Sequence, residues 1–188
     1  PGPGIPPASC TSRPPRVEPM RVLLTGSNGF LGSATALLAR RRGWEVVGLG
    51  RSVASTTPVD HYVRHDLSAP LPRDLVPGPI DAIIHAAALA SPFAPPREFI
   101  AANIIGTRNI LDWATKHAMP PLVHVSSSSV LYRDADQFDL TEESPRISDD
   151  EQLNAYSRSK AVAERAVERY RGPWSILRPR AVIGEGDT

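Results

Sequence analysis

The sequence predicts an α/β protein: a doubly wound parallel sheet with helices on both faces, in three layers. From Arg21 onward, short apolar runs alternate with helical patterns, which is the signature of βαβ units. The first run feeds a glycine-spaced turn that opens directly into an amphipathic segment. With 188 residues, 41% hydrophobic and 22% charged, the chain is long enough for one well-buried core and short for two.

Seven of the 20 prolines fall within residues 1–19, denying that stretch helix hydrogen bonds and a packable pattern. It is expected to be a disordered leader, with the folded domain spanning 20–188. Strands are expected at Arg21–Thr25, Trp44–Leu49, Tyr62–His65, Ala82–His85, Leu122–Ser126 and Trp174–Leu177. In the first helix, Phe30, Leu31, Ala34, Leu37 and Leu38 fall on one face. That helix should end near Arg42, capped by Gly43. The spacing predicts a second helix from about Arg97 to His117, stopped by Pro120 and Pro121. A third runs from about Asn154 to Tyr170. On it Tyr156, Lys160, Ala163, Val167 and Tyr170 share the face toward the sheet, and Glu164, Arg165, Glu168 and Arg169 take the other side.

The net charge of +1 supplies no basic field for a nucleic acid partner. Cys10 is the chain's one cysteine and lies in the leader, so no intramolecular disulfide is expected and a reducing compartment suits the chain. No apolar run approaches the roughly 20 residues that cross a bilayer. The expectation is a cytoplasmic protein with a small-molecule substrate and no membrane partner. His85 and His124 sit in or at the ends of adjacent strands, where a packed histidine is commoner than a ligand. No His, Cys, Asp or Glu spacing suggests a metal.

In Arg21-Val-Leu-Leu-Thr-Gly26-Ser27-Asn28-Gly29-Phe30-Leu31-Gly32 the glycines stand between the first strand and the first helix. Gly26 permits a tight turn, Gly29 lets backbone approach a pyrophosphate, and Gly32 lets helix and strand pack closely. The helix N-terminus meanwhile presents unpaired N–H groups to the anion. A dinucleotide is the implied ligand. The second strand ends in Gly48-Leu49-Gly50-Arg51-Ser52. A carboxylate there would suit the ribose 2′-hydroxyl of NAD, whereas an arginine suits the 2′-phosphate of NADP. Arg51 and Ser52 therefore favour NADP over NAD.

Tyr156 and Lys160 stand one helical turn apart on an inward face. An ammonium beside a phenol favours the phenolate, so the pair can exchange a proton with a substrate near neutral pH. The fifth strand ends in a serine run, Ser126 to Ser129, at the carboxyl end of the sheet, where such folds bind ligands.

These residues together resemble the extended branch of the short-chain dehydrogenase/reductases, the NAD(P)-dependent epimerase/dehydratase group, over almost everything from Met20 to Thr188. Further markers are Asp66-Leu67, His85-Ala86-Ala87-Ala88, Asn103 before Gly106-Thr107, and Arg178-Pro179. The resemblance implies a Rossmann-type fold with Tyr156 as general acid/base and Lys160 as its electrostatic and ribose-binding partner. It makes Ser128, four residues before Tyr132, the hydroxyl that holds the substrate oxygen, with Ser126, Ser127 and Ser129 as near misses. It places Asp66 and Leu67 beside the adenine, and Ala86, Ala87 and Ala88 along the cofactor's path. Asn103 borders the same site, with a bridging role within the fold preferred to direct catalysis.

The wording VHVSSSSVLY and LRPRAVIGEGDT is similar to reductases related to 3β-hydroxysteroid dehydrogenases and β-keto acid reductases. Sugar-nucleotide epimerases typically carry an Asn near the place of Ala181, a departure that weighs against that reading. The implied activity is hydride transfer between a nicotinamide and a carbonyl or secondary alcohol. The alternatives are a nucleotide-sugar epimerase or dehydratase with tightly held NAD, and a non-catalytic cofactor-binding module. The resemblance also implies that the substrate-binding part lies beyond Thr188, and that subunits pair as homodimers.

Overall fold

The computed structural model describes residues 19–91 and 93–184. The expected leader, apart from Pro19, lies outside the described residues. Six strands form one parallel sheet in the order β3-β2-β1-β4-β5-β6. They are β1 (Arg21–Thr25), β2 (Glu45–Gly50), β3 (His61–Arg64), β4 (Ala82–His85), β5 (Leu122–Val125) and β6 (Trp174–Leu177). This is the doubly wound, Rossmann-type arrangement, whose strand order reverses between β1 and β4. A cleft therefore opens at their carboxyl ends.

Both faces of the central strands are apolar, as expected for a parallel sheet covered on two sides. Val22, Leu24 and Val46 pack with Ala36 and Ala39 of α1 (Phe30–Arg41). Leu23, Val47, Ile83 and Leu122 pack on the other face with Ile110, Trp113, Val167 and Tyr170. Those partners come from α3 (Gly106–Thr115) and from α4 (Ala155–Val167) with the turn that follows it.

Helix α1 turns a different side to the sheet from the one its large residues suggested. Gly32, Ala36 and Ala39 are buried, while Leu37 and Leu38 are 42% and 51% exposed and Ala34 is also exposed. Close approach is the reason. A Cβ on Gly32 would lie 2.0 Å from the Gly26 carbonyl oxygen, so only small side chains fit the contact face. Gly43 ends the helix with φ +78° and donates its N–H to Arg40.

The helix expected from Arg97 to His117 is three pieces: α2 (Pro96–Phe99), a π-helical stretch (Ile100–Ile105) and α3. Such widened turns inside helices favour functional positions, and this one carries Asn103. Helix α4 begins on a reciprocal cap, with Asn154 accepting from the Ser157 N–H and the Ser157 hydroxyl paired with the Asn154 backbone. No described helix is long and apolar enough to cross a membrane.

Candidate functional site

The glycine turn is built as the sequence implies. Gly26 has φ +71°, and a Cβ there would lie 2.8 Å from Ala87 backbone atoms, so β1 and the strand end at Ala86-Ala87 close tightly. Gly26 donates to the Leu49 carbonyl at 2.8 Å, and Gly29 donates back to Gly26 at 2.9 Å. Helix α1 has Gly29 at its N-cap and no side-chain cap, which leaves its first amides available to an anion.

Two cavities meet at this turn. The first, about 300 Å³, runs from Gly26, Asn28 and Gly29 past Gly50, Arg51 and Ser52 to Asp66 and Leu67. The second, about 310 Å³, runs from Phe30, Leu31 and Gly32 to Ser127, Tyr156 and Lys160. Gly26, Gly29, Ala86 and Ala88 line both, and Ala87 lines the first. The groove is thus continuous from Arg51 to Tyr156. His65, Leu49, Leu89 and Ala102 also line it, and the sequence motifs gave no sign of these.

Two residues expected at the cofactor sit differently. The Ser27 side chain is buried beneath the turn, where a Cβ on Gly48 would meet its hydroxyl at 2.7 Å; it faces β2, not the groove. Asn103 is buried and spends its amide on the fold: its oxygen accepts from the Leu89 N–H at 2.7 Å, and its nitrogen donates to the Leu89 carbonyl and the Ser159 hydroxyl. Asn28 lines the groove yet uses its side chain to brace the loop at Ala54, Ser55 and Thr56.

At the β2 end of the groove, Arg51 is exposed. Asp66 is held below the ordinary carboxylate range, chiefly by the Ser68 backbone N–H, with Arg51 adding to the effect.

Near the other end, Lys160 is buried and its ammonium donates to the Val125 carbonyl at 2.6 Å. Burial pulls its pKa down to about 8, against an upward pull from Glu164. Burial raises the pKa of Tyr156, and the nearby Ser127 hydroxyl opposes that rise. Lys160, expected to stabilise the phenolate, is not among the causes of that shift. The Ser128 hydroxyl instead pairs with the Tyr132 hydroxyl at 2.7 Å and faces a neighbouring cavity lined by Leu131, Gln137, Leu153, Arg178 and Arg180, the last of which also lines that of Tyr156. Ser127 and Ser128 therefore point to the two sides of one strand end.

Behind the site runs a buried polar chain. The Thr25 hydroxyl accepts from the Ala87 N–H and pairs with His85 Nδ1 at 2.7 Å; His85 Nε2 pairs with the Thr107 hydroxyl at 3.0 Å, and that hydroxyl donates to the Asn103 carbonyl. Asn103 reaches Ser159, whose hydroxyl donates to the Tyr156 carbonyl at 2.7 Å. His85 is pushed down to about 3 by burial and then by Lys160, so it is neutral. His124 stacks on it with ring centroids 5.2 Å apart, and neither of its ring nitrogens has a hydrogen-bond partner. Among the described residues, no three His, Cys, Asp or Glu gather to hold a metal ion.

Glu164 is the largest departure from the sequence reading. Expected on the solvent side of α4, it is fully buried. Arg178 clamps it with two bonds of 2.9 and 2.8 Å, and Arg146 adds a third at 3.2 Å. Burial opposes its ionisation, and Arg178, the neighbouring Ser126 hydroxyl and Arg146 override it, so its pKa lies below the ordinary range. Helical spacing alone put Glu164 beside Arg165 and Glu168; its partners come from elsewhere in the chain.

Residues 22–188 match the NAD dependent epimerase/dehydratase family. The chain belongs to that family. One relative, the 2-alkyl-3-oxoalkanoate reductase of Stenotrophomonas maltophilia (strain K279a), is 30% identical over 174 residues, covering 89% of this chain and 52% of the relative. A 4-hydroxy-2-methyl-3-oxo-4-farnesyl-3,4-dihydroquinoline-1-oxide ketoreductase of Stigmatella aurantiaca is 31% identical, covering 90% of this chain and 52% of that protein. Among solved structures, a short-chain dehydrogenase/reductase superfamily protein from Agrobacterium tumefaciens with bound NAD is 28% identical with TM-score 0.73, covering 84% of this chain and 48% of that one. The chain thus spans about half the length of the curated relatives it matches. Its family is one of NAD(P)-dependent oxidoreductases and epimerases, and reductases stand among its relatives.

Proposed function

We propose that this chain forms the cofactor-binding and proton-transfer part of an NADP-preferring reductase acting on a carbonyl or secondary alcohol. The observation that carries the reading is one groove joining the Gly26–Gly32 turn, with open helix amides, to Tyr156 and Lys160. The residues fit a dinucleotide. Glycine is required by sterics at Gly26 and Gly32, the α1 N-terminus suits a pyrophosphate, and Arg51, which lines the groove just past β2, offers a cation to a 2′-phosphate. When bound, the nicotinamide supplies the hydride chemistry.

Tyr156 would protonate the carbonyl oxygen during reduction and accept its proton in the reverse direction. Lys160 spends one of its three N–H donors on Val125, leaving two for ribose hydroxyls. Ser128 is the substrate-orienting hydroxyl in this reading, and Ser127, which lines one cavity with Tyr156 and Lys160, is its rival. The 3-oxo acid in the name of the Stenotrophomonas relative suggests the first substrate class to test.

In the intact enzyme, Tyr156→Phe is expected to abolish NADPH oxidation on a panel of 3-oxoalkanoates while leaving NADP binding by calorimetry unchanged. Undiminished turnover would remove Tyr156 from the chemistry. Tightly bound NAD that co-purifies without net consumption would favour the epimerase or dehydratase reading.

A further inference from the structure

We infer that Glu164 is a positioning residue for Lys160: its buried carboxylate supplies the countercharge for the lysine ammonium and ties the floor of the cleft to the same helix. The inference rests on the place of Lys160 in the reading above. Glu164 lies four residues beyond Lys160 on α4, which stacks the two side chains on neighbouring turns.

Two segments converge on that one carboxylate. Arg178 belongs to the stretch leaving β6, whose Pro179, Arg180 and Val182 line the cavity of Tyr156 and Lys160. The Pro179 carbonyl also accepts the Ser128 N–H at 3.2 Å, tying this stretch to the serine run. Arg146 belongs to the stretch before α4 and reaches Glu168 at 2.7 Å as well as Glu164. Breaking the clamp would release the cleft floor and the segment before α4 together.

The charges around Lys160 make Glu164 decisive. On its own helix stand Tyr156 and Glu164; from β4 and β5 come neutral His85 and His124. Arg178 and Arg146 lie just beyond the carboxylate, with Glu168 on the far side of Arg146. Without Glu164, Lys160 and the two guanidinium groups would be left with Glu168 and Glu142, the acids that lie against Arg146 and Arg178. Glu164 pulls the Lys160 pKa upward against burial, as an anion beside a buried cation must.

Lys116 and Lys160 are the lysines of this chain, so NMR of the 188-residue chain labelled at lysine Nζ and Cε resolves Lys160 with Lys116 as an internal reference. The wild-type Lys160 midpoint is expected near 8. In Glu164→Gln it should fall by about one pH unit, and in Glu164→Asp, which keeps the charge, it should stay close to wild type. An unmoved midpoint in a folded Glu164→Gln chain overturns the inference, since a role confined to packing would not move it. If that variant does not fold, the wild-type chain decides. The Glu164 carboxyl carbon should show a second step at the Lys160 midpoint, and its absence overturns the inference equally. Turnover and cofactor binding are not read, so failure of the reductase reading remains a separate result.

Discussion

Lowering the pH from 7 to 5 should destabilise this domain through its buried histidines, and the size of the effect follows from His85. In the unfolded chain a histidine titrates near 6.5; in the fold His85 is held at about 3 by burial and by the Lys160 charge. The unfolded state therefore binds the proton first, and the stabilising contribution is fully present above pH 6.5 and lost progressively down to about pH 3. Integrated between pH 7 and pH 5, linkage gives about 2 kcal/mol, toward a ceiling of about 5 kcal/mol over the whole window. For a domain with a net stability of about 5–15 kcal/mol this is a large fraction. His85→Gln removes the titration while keeping an amide that donates to Thr107. Urea unfolding followed by tryptophan fluorescence at both pH values measures the difference. The loss between pH 7 and 5 should be about 2 kcal/mol smaller in the variant than in wild type. Equal losses in the two proteins would refute the claim that His85 is buried in its neutral form.

Arg51→Ala should weaken NADP binding by about tenfold while leaving NAD affinity unchanged, the expected loss of one charge-assisted contact to a phosphate; paired calorimetric titrations test this, and a parallel loss for both cofactors would move the 2′-phosphate site elsewhere. Gly32→Ala places a Cβ 2.0 Å from the Gly26 carbonyl oxygen, so backbone must shift at a cost of about 3 kcal/mol. A lowered urea midpoint, or an insoluble chain, is the expected result, and wild-type stability would refute so close an approach of α1 to the turn.

Much of the fold was legible because its signals are local. Three strands, Arg21–Thr25, Ala82–His85 and Trp174–Leu177, begin and end where the apolar runs do. Gly43 and Asn154 mark helix ends because φ and hydrogen-bonding demands at a terminus are set by a few neighbouring residues. The large apolar residues of α1 point to the wrong buried face, because size alone does not decide which side meets the sheet. Leu37 and Leu38 are excluded by a helix–strand approach that admits only glycine and alanine. The π-helical stretch at Ile100–Ile105 left no trace in a sequence that suits an ordinary helix.

What the sequence determined by itself was the order of strands and helices, the glycine turn and the place of Tyr156 and Lys160 one turn apart on α4, since each depends on residues close together in the chain. Tertiary structure decided the rest. It assigned the Asn103 amide to Leu89 and Ser159, put Ser127 in one cavity with Tyr156 and Ser128 in a neighbouring one, and carried Glu164 into the core. Residue spacing cannot foresee such outcomes. A buried polar group is kept there by partners that satisfy it, and for Glu164 those partners, Arg146 and Arg178, lie 18 and 14 residues away in the chain.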